Sequence, residues 1–544
     1  MEDKIWWKEE IAYQIYPQSF KDSNNDGIGD INGIISKLDY LKDLGITLIW
    51  ISPIYCSPMD DNGYDISDYY DINPIYGTMK DVENLLEKAK QHNIKIIFDL
   101  VLNHTSDEHV WFQTALKDPK SKYRNYYYFK EGKDHKPPNN WRSCFGGSVW
   151  EEIGDSNIFY LHCFSKKQPD LNWENPEMRN DLYKMINWWL DKGLSGFRID
   201  AINFIKKNLD FPNGVPDGED GLCQLTKYSV DQPGLEILYQ DLKKNTFAKH
   251  DCTTVCESWH VPYEHLYNYI GKSGCFSIMF DFNYTEIDIE NGQWYKKRNW
   301  TFQELINGIH KSQLEIQKVG WQAPFWENHD IPRSLSKYFG NRSYENATLL
   351  AGILLFLRGT PFIFQGQEIG MINNERKNID EFKDISTKGQ YSQIKMAGFS
   401  EEEAIKICNR KSRDNARTPI PWNDGKYGGF SENEPWIKMN ENYKTINVEK
   451  DMKEKKSVFK FYKKVIELRK KYKDIFAYGK YEKIECDKDV IGYKRVNGED
   501  KMIVFGNFSN EEKEYSIKPT KDVICSNNEV KEKLLPYQFI LFKE

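Results

Sequence analysis

The sequence predicts a (β/α)8 TIM barrel with an inserted subdomain after the third strand and a C-terminal antiparallel β domain. Three observations lead there. Short apolar runs alternate with amphipathic helical stretches. Acids and imidazoles gather at the ends of those runs. From about residue 481 the pattern changes to period two with no helix between. A chain of 544 residues is long enough for one barrel with insertions and a small companion. The implied division is residues 1–104 and 175–480 for the barrel, 105–174 for the subdomain and 481–544 for the terminal domain.

Taken in order, the apolar runs lie at residues 11–17, 46–53, 94–101, 196–200, 253–257, 276–282, 324–330 and 361–366. The sixth and seventh carry the weakest pattern. Helical periodicity appears at 39–44, stopped by Gly45, and at 81–92 and 179–192. The stretch between His104 and Trp173 is too long for an ordinary βα loop and is rich in Tyr, Trp, Asn and Gly, so it reads as a subdomain over the barrel rim. A second, strongly charged excursion spans 369–422. Its middle, 377–388, fits a helix or a mobile segment equally well. Runs at 490–493, 502–505 and 538–542 are the strands of the terminal domain.

Composition narrows the function classes. The net charge is −7 with both signs mixed along the chain, so no basic stripe marks a nucleic-acid partner. The N-terminus has no basic region followed by an apolar run, and no run of about 18 apolar residues exists. That reads as a protein without signal peptide or membrane span. Ten scattered Cys, without a paired framework or zinc-like spacing, read as reduced thiols in a cytoplasmic protein. Monomer is the expected state, with a homodimer left open.

The chemistry is concentrated at Gly196-Phe197-Arg198-Ile199-Asp200. Arg198 and Asp200 are two apart and point to one face of a strand. A guanidinium beside a carboxylate keeps it ionised and oriented, as a nucleophile requires. On the pentapeptide alone, a structural ion pair explains the pattern as well. Other strand ends decide the matter: Asp99, Asn103 and His104 at the third, Glu257 at the fifth, His329 and Asp330 at the seventh. Active sites of such barrels sit at the carboxyl ends of the strands.

A separate loop, residues 22–30, alternates oxygen side chains. Asp22, Asn24, Asp26, the carbonyl of Ile28 and Asp30 have the spacing of a calcium loop. The twelfth position is Gly33 rather than Glu, so it is not a full EF-hand. An Asx-rich turn is the competing reading. The expectation is one structural Ca2+ and no organic cofactor.

Together these motifs resemble glycoside hydrolase family 13, the α-amylase family, and within it the α-glucosidase and oligo-1,6-glucosidase group. The carrying residues are Asp99-Leu100-Val101-Leu102-Asn103-His104, Gly196 to Asp200, Glu257 and Asn328-His329-Asp330, in the family's order. Gln168-Pro169-Asp170-Leu171-Asn172-Trp173 and Arg413-Asp414-Asn415-Ala416-Arg417-Thr418-Pro419 are further markers. The resemblance implies Asp200 as nucleophile, Glu257 as general acid/base and Asp330 as transition-state stabiliser. It implies that His104, Arg198, His329 and Arg417 bind the glucosyl unit, and that Asp61 and Tyr64 close the non-reducing end. It also implies that the calcium loop is structural. Departures at Cys256, at Ser258-Trp259-His260, at 280–284 and at Ile420 lie around these groups without touching a catalytic one.

The expected activity is a retaining, exo-acting α-glucosidase on short oligosaccharides or disaccharides. In the group it resembles, Val directly after the nucleophile accompanies α-1,6-acting members and Ala accompanies α-1,4-acting ones, so the resemblance leans Ala201 toward α-1,4 links; the physical reason is the room that a small side chain leaves beside the scissile bond. An oligo-1,6-glucosidase and a trehalose-6-phosphate hydrolase are the alternatives. A catalytically inactive, transporter-associated relative is disfavoured because it would tolerate loss of the acids this chain keeps.

Overall fold

The computed structural model describes residues 4–290, 292–519 and 522–544. Its centre is a parallel sheet of seven strands: β1 (Ala12–Ile15), β2 (Leu48–Ile51), β3 (Lys95–Val101), β4 (Gly196–Asp200), β5 (Thr253–Ser258), β6 (Ile278–Asp281) and β7 (Phe362–Phe364). They lie in the order β6-β5-β4-β3-β2-β1-β7. Nearly every residue in them is buried, as a sheet covered on both faces requires.

The eighth position corrects the sequence reading. Residues 324–330 are not a regular strand. Pro324 has no N–H to give a ladder. The chain instead passes between β6 and β7 in an irregular path held on each side by two backbone bonds from residues 321–324. The Ala323 N–H donates to Met279 O at 2.9 Å, and the Phe362 N–H donates to Pro324 O at 2.9 Å. Those bonds close the curled sheet into a barrel.

The helices form where the local chemistry favours them. Helix α1 (Met79–Gln91) starts on a capping box made by Thr78 and Asp81. Asn175 caps α2 (Pro176–Asp191), whose first residue is proline. Thr301 and Glu304 repeat the capping box at α3 (Phe302–Val319). Helix α4 (Tyr344–Phe356) has no polar stripe, since every residue from Asn346 onward is buried. Its far side is covered by the terminal domain, where Phe539 packs against Gly352 so closely that an added Cβ would sit 2.3 Å from the ring.

The inserted subdomain contains a three-stranded antiparallel sheet with Ile158–Leu161 between Phe129–Glu131 and Trp150–Glu152. A short parallel pairing of Trp141–Arg142 with Cys223–Gln224 joins it to the segment after β4. The second excursion holds two helices, α5 (Ile385–Met396) and α6 (Glu401–Lys411), so the charged stretch is ordered. The terminal domain is a five-stranded antiparallel sheet that begins at Lys480. No described helix is long and apolar enough to cross a membrane.

Gly196 opens β4 at φ 142°, and a Cβ there would lie 1.8 Å from Thr253 O on β5. Gly196→Ala is expected to lower Tm through overpacking that costs about 1–3 kcal/mol and through backbone strain. Gly193→Ala separates the two causes, because Gly193 also has positive φ but faces open space. Equal Tm losses in the two variants would remove the steric account.

Candidate active site

The β3–β4 register places Arg198 directly opposite Asp99. The guanidinium, 1 % exposed, is the hub of the site. Its Nη1 donates to Asp99 Oδ1 at 2.7 Å and to Asp200 Oδ1 at 2.8 Å. Its Nη2 lies 2.8 Å from Glu257 Oε2. Three carboxylates from neighbouring strands therefore share one cation. Ala201 follows β4 in the left-handed region, φ 41°, which turns its N–H to donate to Glu257 Oε2 at 2.9 Å.

Burial sets the proton affinities of these acids. It pushes Asp200 up to about 7 against the pull of Arg198, with Asp99 and Asp330 adding to the rise. It lifts Glu257 to about 7, again opposed by Arg198 and helped by Asp200 and Asp330. Asp99 rises to about 6 and receives hydrogen bonds from Trp50 Nε1 at 3.1 Å and Tyr64 Oη at 2.9 Å. Asp330 goes the other way. Burial alone would raise it, but His329, Arg413 and Arg417 hold it below the usual carboxylate range.

A second network surrounds Asp330. Arg417 Nη2 reaches its Oδ1 at 3.0 Å and Arg413 Nη1 at 3.3 Å. His329 is buried and held neutral. Gln14 Nε2 donates to its Nδ1 at 2.8 Å, which leaves the ring proton on Nε2, 3.1 Å from Asp330 Oδ2 and 2.6 Å from Tyr64 Oη. Arg413 Nη2 also binds Asp61 Oδ1 at 2.8 Å and Asp384 Oδ1 at 2.7 Å. Gln168 Nε2 donates to Asp61 Oδ2 at 3.1 Å and contacts His104 Nε2 at 3.1 Å.

Every residue expected at this rim is thus tied to it. Asp61, Tyr64, His104, Arg198, Asp200, Ala201, Glu257, His329, Asp330 and Arg417 all join these networks. Several participants carry no site role in the sequence reading: Gln14, Trp50, Gln168, Arg413 and Asp384. Arg413, and not Arg417, is the guanidinium that reaches across to Asp61. Asp384 lies in the stretch whose structure the sequence left open. Its signal was the run Asp384-Ile385-Ser386-Thr387, an N-cap pattern, and the side chain does accept from the Ser386 and Thr387 N–H groups.

The loop at 22–30 is closed on itself. Asp22 accepts from the N–H groups of Asn24, Asn25 and Gly27, and Asp30 from those of Ser23 and Gly33. Asp26 accepts from Ile28 N–H at 2.8 Å. The donor set is all oxygen, and carboxylate lone pairs remain for a hard cation.

A family model for the α-amylase catalytic domain matches residues 14–479. An oligo-1,6-glucosidase of Parageobacillus thermoglucosidasius is 43 % identical, over 97 % of this chain and 96 % of its own length. The trehalose-6-phosphate hydrolase of Bacillus subtilis (strain 168) is 38 % identical, over 100 % of this chain and 99 % of its own. The crystal structure of isomaltulose synthase from Klebsiella sp. LX3 superposes with a TM-score of 0.94 at 38 % identity, covering 100 % of both chains. The shared motifs, the barrel and these matches make the chain a member of the α-amylase family, glycoside hydrolase family 13, and a hydrolase of the α-glucosidase type.

Proposed function

We propose that the protein is a retaining, exo-acting α-glucosidase that releases glucose from the non-reducing end of short α-1,6-linked glucosides. The observation that carries the chemistry is the Arg198 hub, which holds Asp200 and Glu257 on adjacent strand ends. Asp200 attacks the anomeric carbon while Glu257 protonates the leaving oxygen. Water then hydrolyses the glucosyl-enzyme with Glu257 as base. Asp330, kept ionised by two guanidinium groups, steadies the positive charge that develops on the sugar. Asp61 and Arg413 close the far end of the pocket, which limits attack to a terminal glucose.

The 1,6 linkage rests on the relatives, several of which are named as acting on 1,6-glucosides. The α-1,4 preference expected from Ala201 finds no support among them. The structure supplies a reason to discount it. Ala201 is 4 % exposed, its methyl belongs to the apolar cluster of Phe204 and Trp259, and its backbone is left-handed. The size of this side chain therefore answers to local packing and backbone strain as well as to substrate.

A panel of isomaltose, maltose, sucrose and trehalose-6-phosphate tests the reading. The expected result is the highest kcat/KM for isomaltose. A higher value for any of the other three would replace the proposed substrate.

The productive form has Asp200 ionised and Glu257 protonated. Protonation of Asp200 removes activity on the acid side, and deprotonation of Glu257 removes it on the alkaline side. With both groups raised to about 7, kcat/KM should trace a narrow bell near neutrality. Glu257→Gln should lower kcat/KM on isomaltose by about 10²–10⁴-fold and abolish the alkaline limb. An alkaline limb that survives in this variant would assign it to another group.

Asp22, Asn24, Asp26, Asp30 and the Ile28 carbonyl would hold one Ca2+ and brace the loop. A chelator should lower Tm while leaving kcat nearly unchanged, since the loop lies outside the carboxylate networks. No bound calcium by elemental analysis, together with an unchanged Tm, would leave the loop as a turn.

A further inference from the structure

The segment at residues 211–224 follows β4 and is captured by the subdomain at unusual density. Trp141 Nε1 donates to Pro212 O at 2.7 Å, Asn140 exchanges two bonds with Gly214, and the Cys223 N–H donates to Asn140 O at 2.8 Å. At its tip sits Arg142, 7 % exposed. Its Nη1 meets Asp217 Oδ1 at 2.5 Å, its Nε meets Asp220 Oδ2 at 2.6 Å, and its Nη2 meets Asp220 Oδ1 at 2.5 Å and Leu222 O at 2.9 Å. A guanidinium with two carboxylates and a carbonyl in fork geometry is the strong form of such a clamp. Gly218 lets it close, because a Cβ there would lie 2.6 Å from Nη2.

The position of this segment fixes its role. Phe211 and Cys223 share one apolar cluster with Ala201 and Phe204, one and four residues after Asp200, and with Trp259, two residues after Glu257. Glu257 faces the leaving group, so the segment stands on the leaving-group side. The opposite end is occupied by Asp61, Arg413 and Asp384. Beyond Arg142, the carbonyl of Asp217 receives Gln293 Nε2 at 3.4 Å and Lys296 Nζ at 3.5 Å. The space left between Arg142, Asp220, Gln293, Gln393 and Met396 is about 10 Å3, at the limit for one water.

We infer that Arg142 is a specificity-determining latch, which holds residues 211–224 as a wall on the leaving-group side and so limits the aglycone to a short sugar. The inference rests on the glucosidase reading above, but on neither linkage. Arg142 touches no catalytic carboxylate, so it acts by positioning the wall.

The test compares kcat/KM on the disaccharide and on the six-glucose oligomer, in both the α-1,6 and the α-1,4 series. The wild type should favour the disaccharide at least tenfold. Arg142→Ala should narrow that ratio at least fivefold, through KM for the long substrate, while the disaccharide value stays within about twofold. Arg142→Lys should restore part of the preference. Asp220→Asn weakens the latch from the loop side and serves if Arg142→Ala does not fold. Folded variants with an unchanged length ratio would overturn the latch, as would a wild type indifferent to length. A failure on every α-glucoside, long or short, would instead sink the glucosidase reading.

Discussion

One cation lets three buried acids share the carboxyl end of this barrel. Arg198 is buried on β4, and the parallel register sets Asp99 beside it while Asp200 and Glu257 converge from above. Three acids packed together out of water repel one another, and desolvation penalises each. A single guanidinium in contact with all three lets them stay, and losing one partner of such a buried set costs about 3–5 kcal/mol. The alternating pleat puts Arg198 and Asp200 on one face, and the absence of a side chain at Gly196 lets β4 lie against β5.

Around this hub the protein divides its charges unequally. Asp200 and Glu257 face one guanidinium between them and are lifted by burial. Asp330 faces two, together with a neutral imidazole, and is held down. One carboxylate is thereby held negative, while burial raises the proton affinity of the other two. Acids of the same type acquire different duties from the number of cations each one faces. Arg413 extends the same network to Asp61 on the loop after β2 and to Asp384 at the start of α5, and Gln168 of the inserted subdomain bonds Asp61 as well, so both excursions are tied to the site.

Much of this was legible in the sequence. The six strands β1–β6, β7 and the change to period two at the terminal domain are all local patterns, and the acids at strand ends announce the site. What was not legible depends on contacts that no local pattern records. Residues 324–330 look strand-like, yet a proline and a few backbone bonds from residues 321–324 to the two neighbours replace a ladder there. Arg413 and Asp384 are far apart in sequence from the carboxylates they serve. Ala201 looked informative about linkage because its size was considered without its left-handed backbone and its apolar surroundings. The capture of residues 211–224 by the subdomain rests on side chains about 75 positions apart.

In the proposed mechanism the Arg198 hub sets Asp200 and Glu257 as a nucleophile and an acid/base close enough for double displacement, about 5–5.5 Å in retaining enzymes. The most direct test is the anomeric form of the first glucose released, followed by proton NMR before mutarotation. Double displacement through Asp200 should give α-glucose from an α-glucoside. β-Glucose as the first product would mean that water attacks directly, and would contradict the nucleophilic role of Asp200.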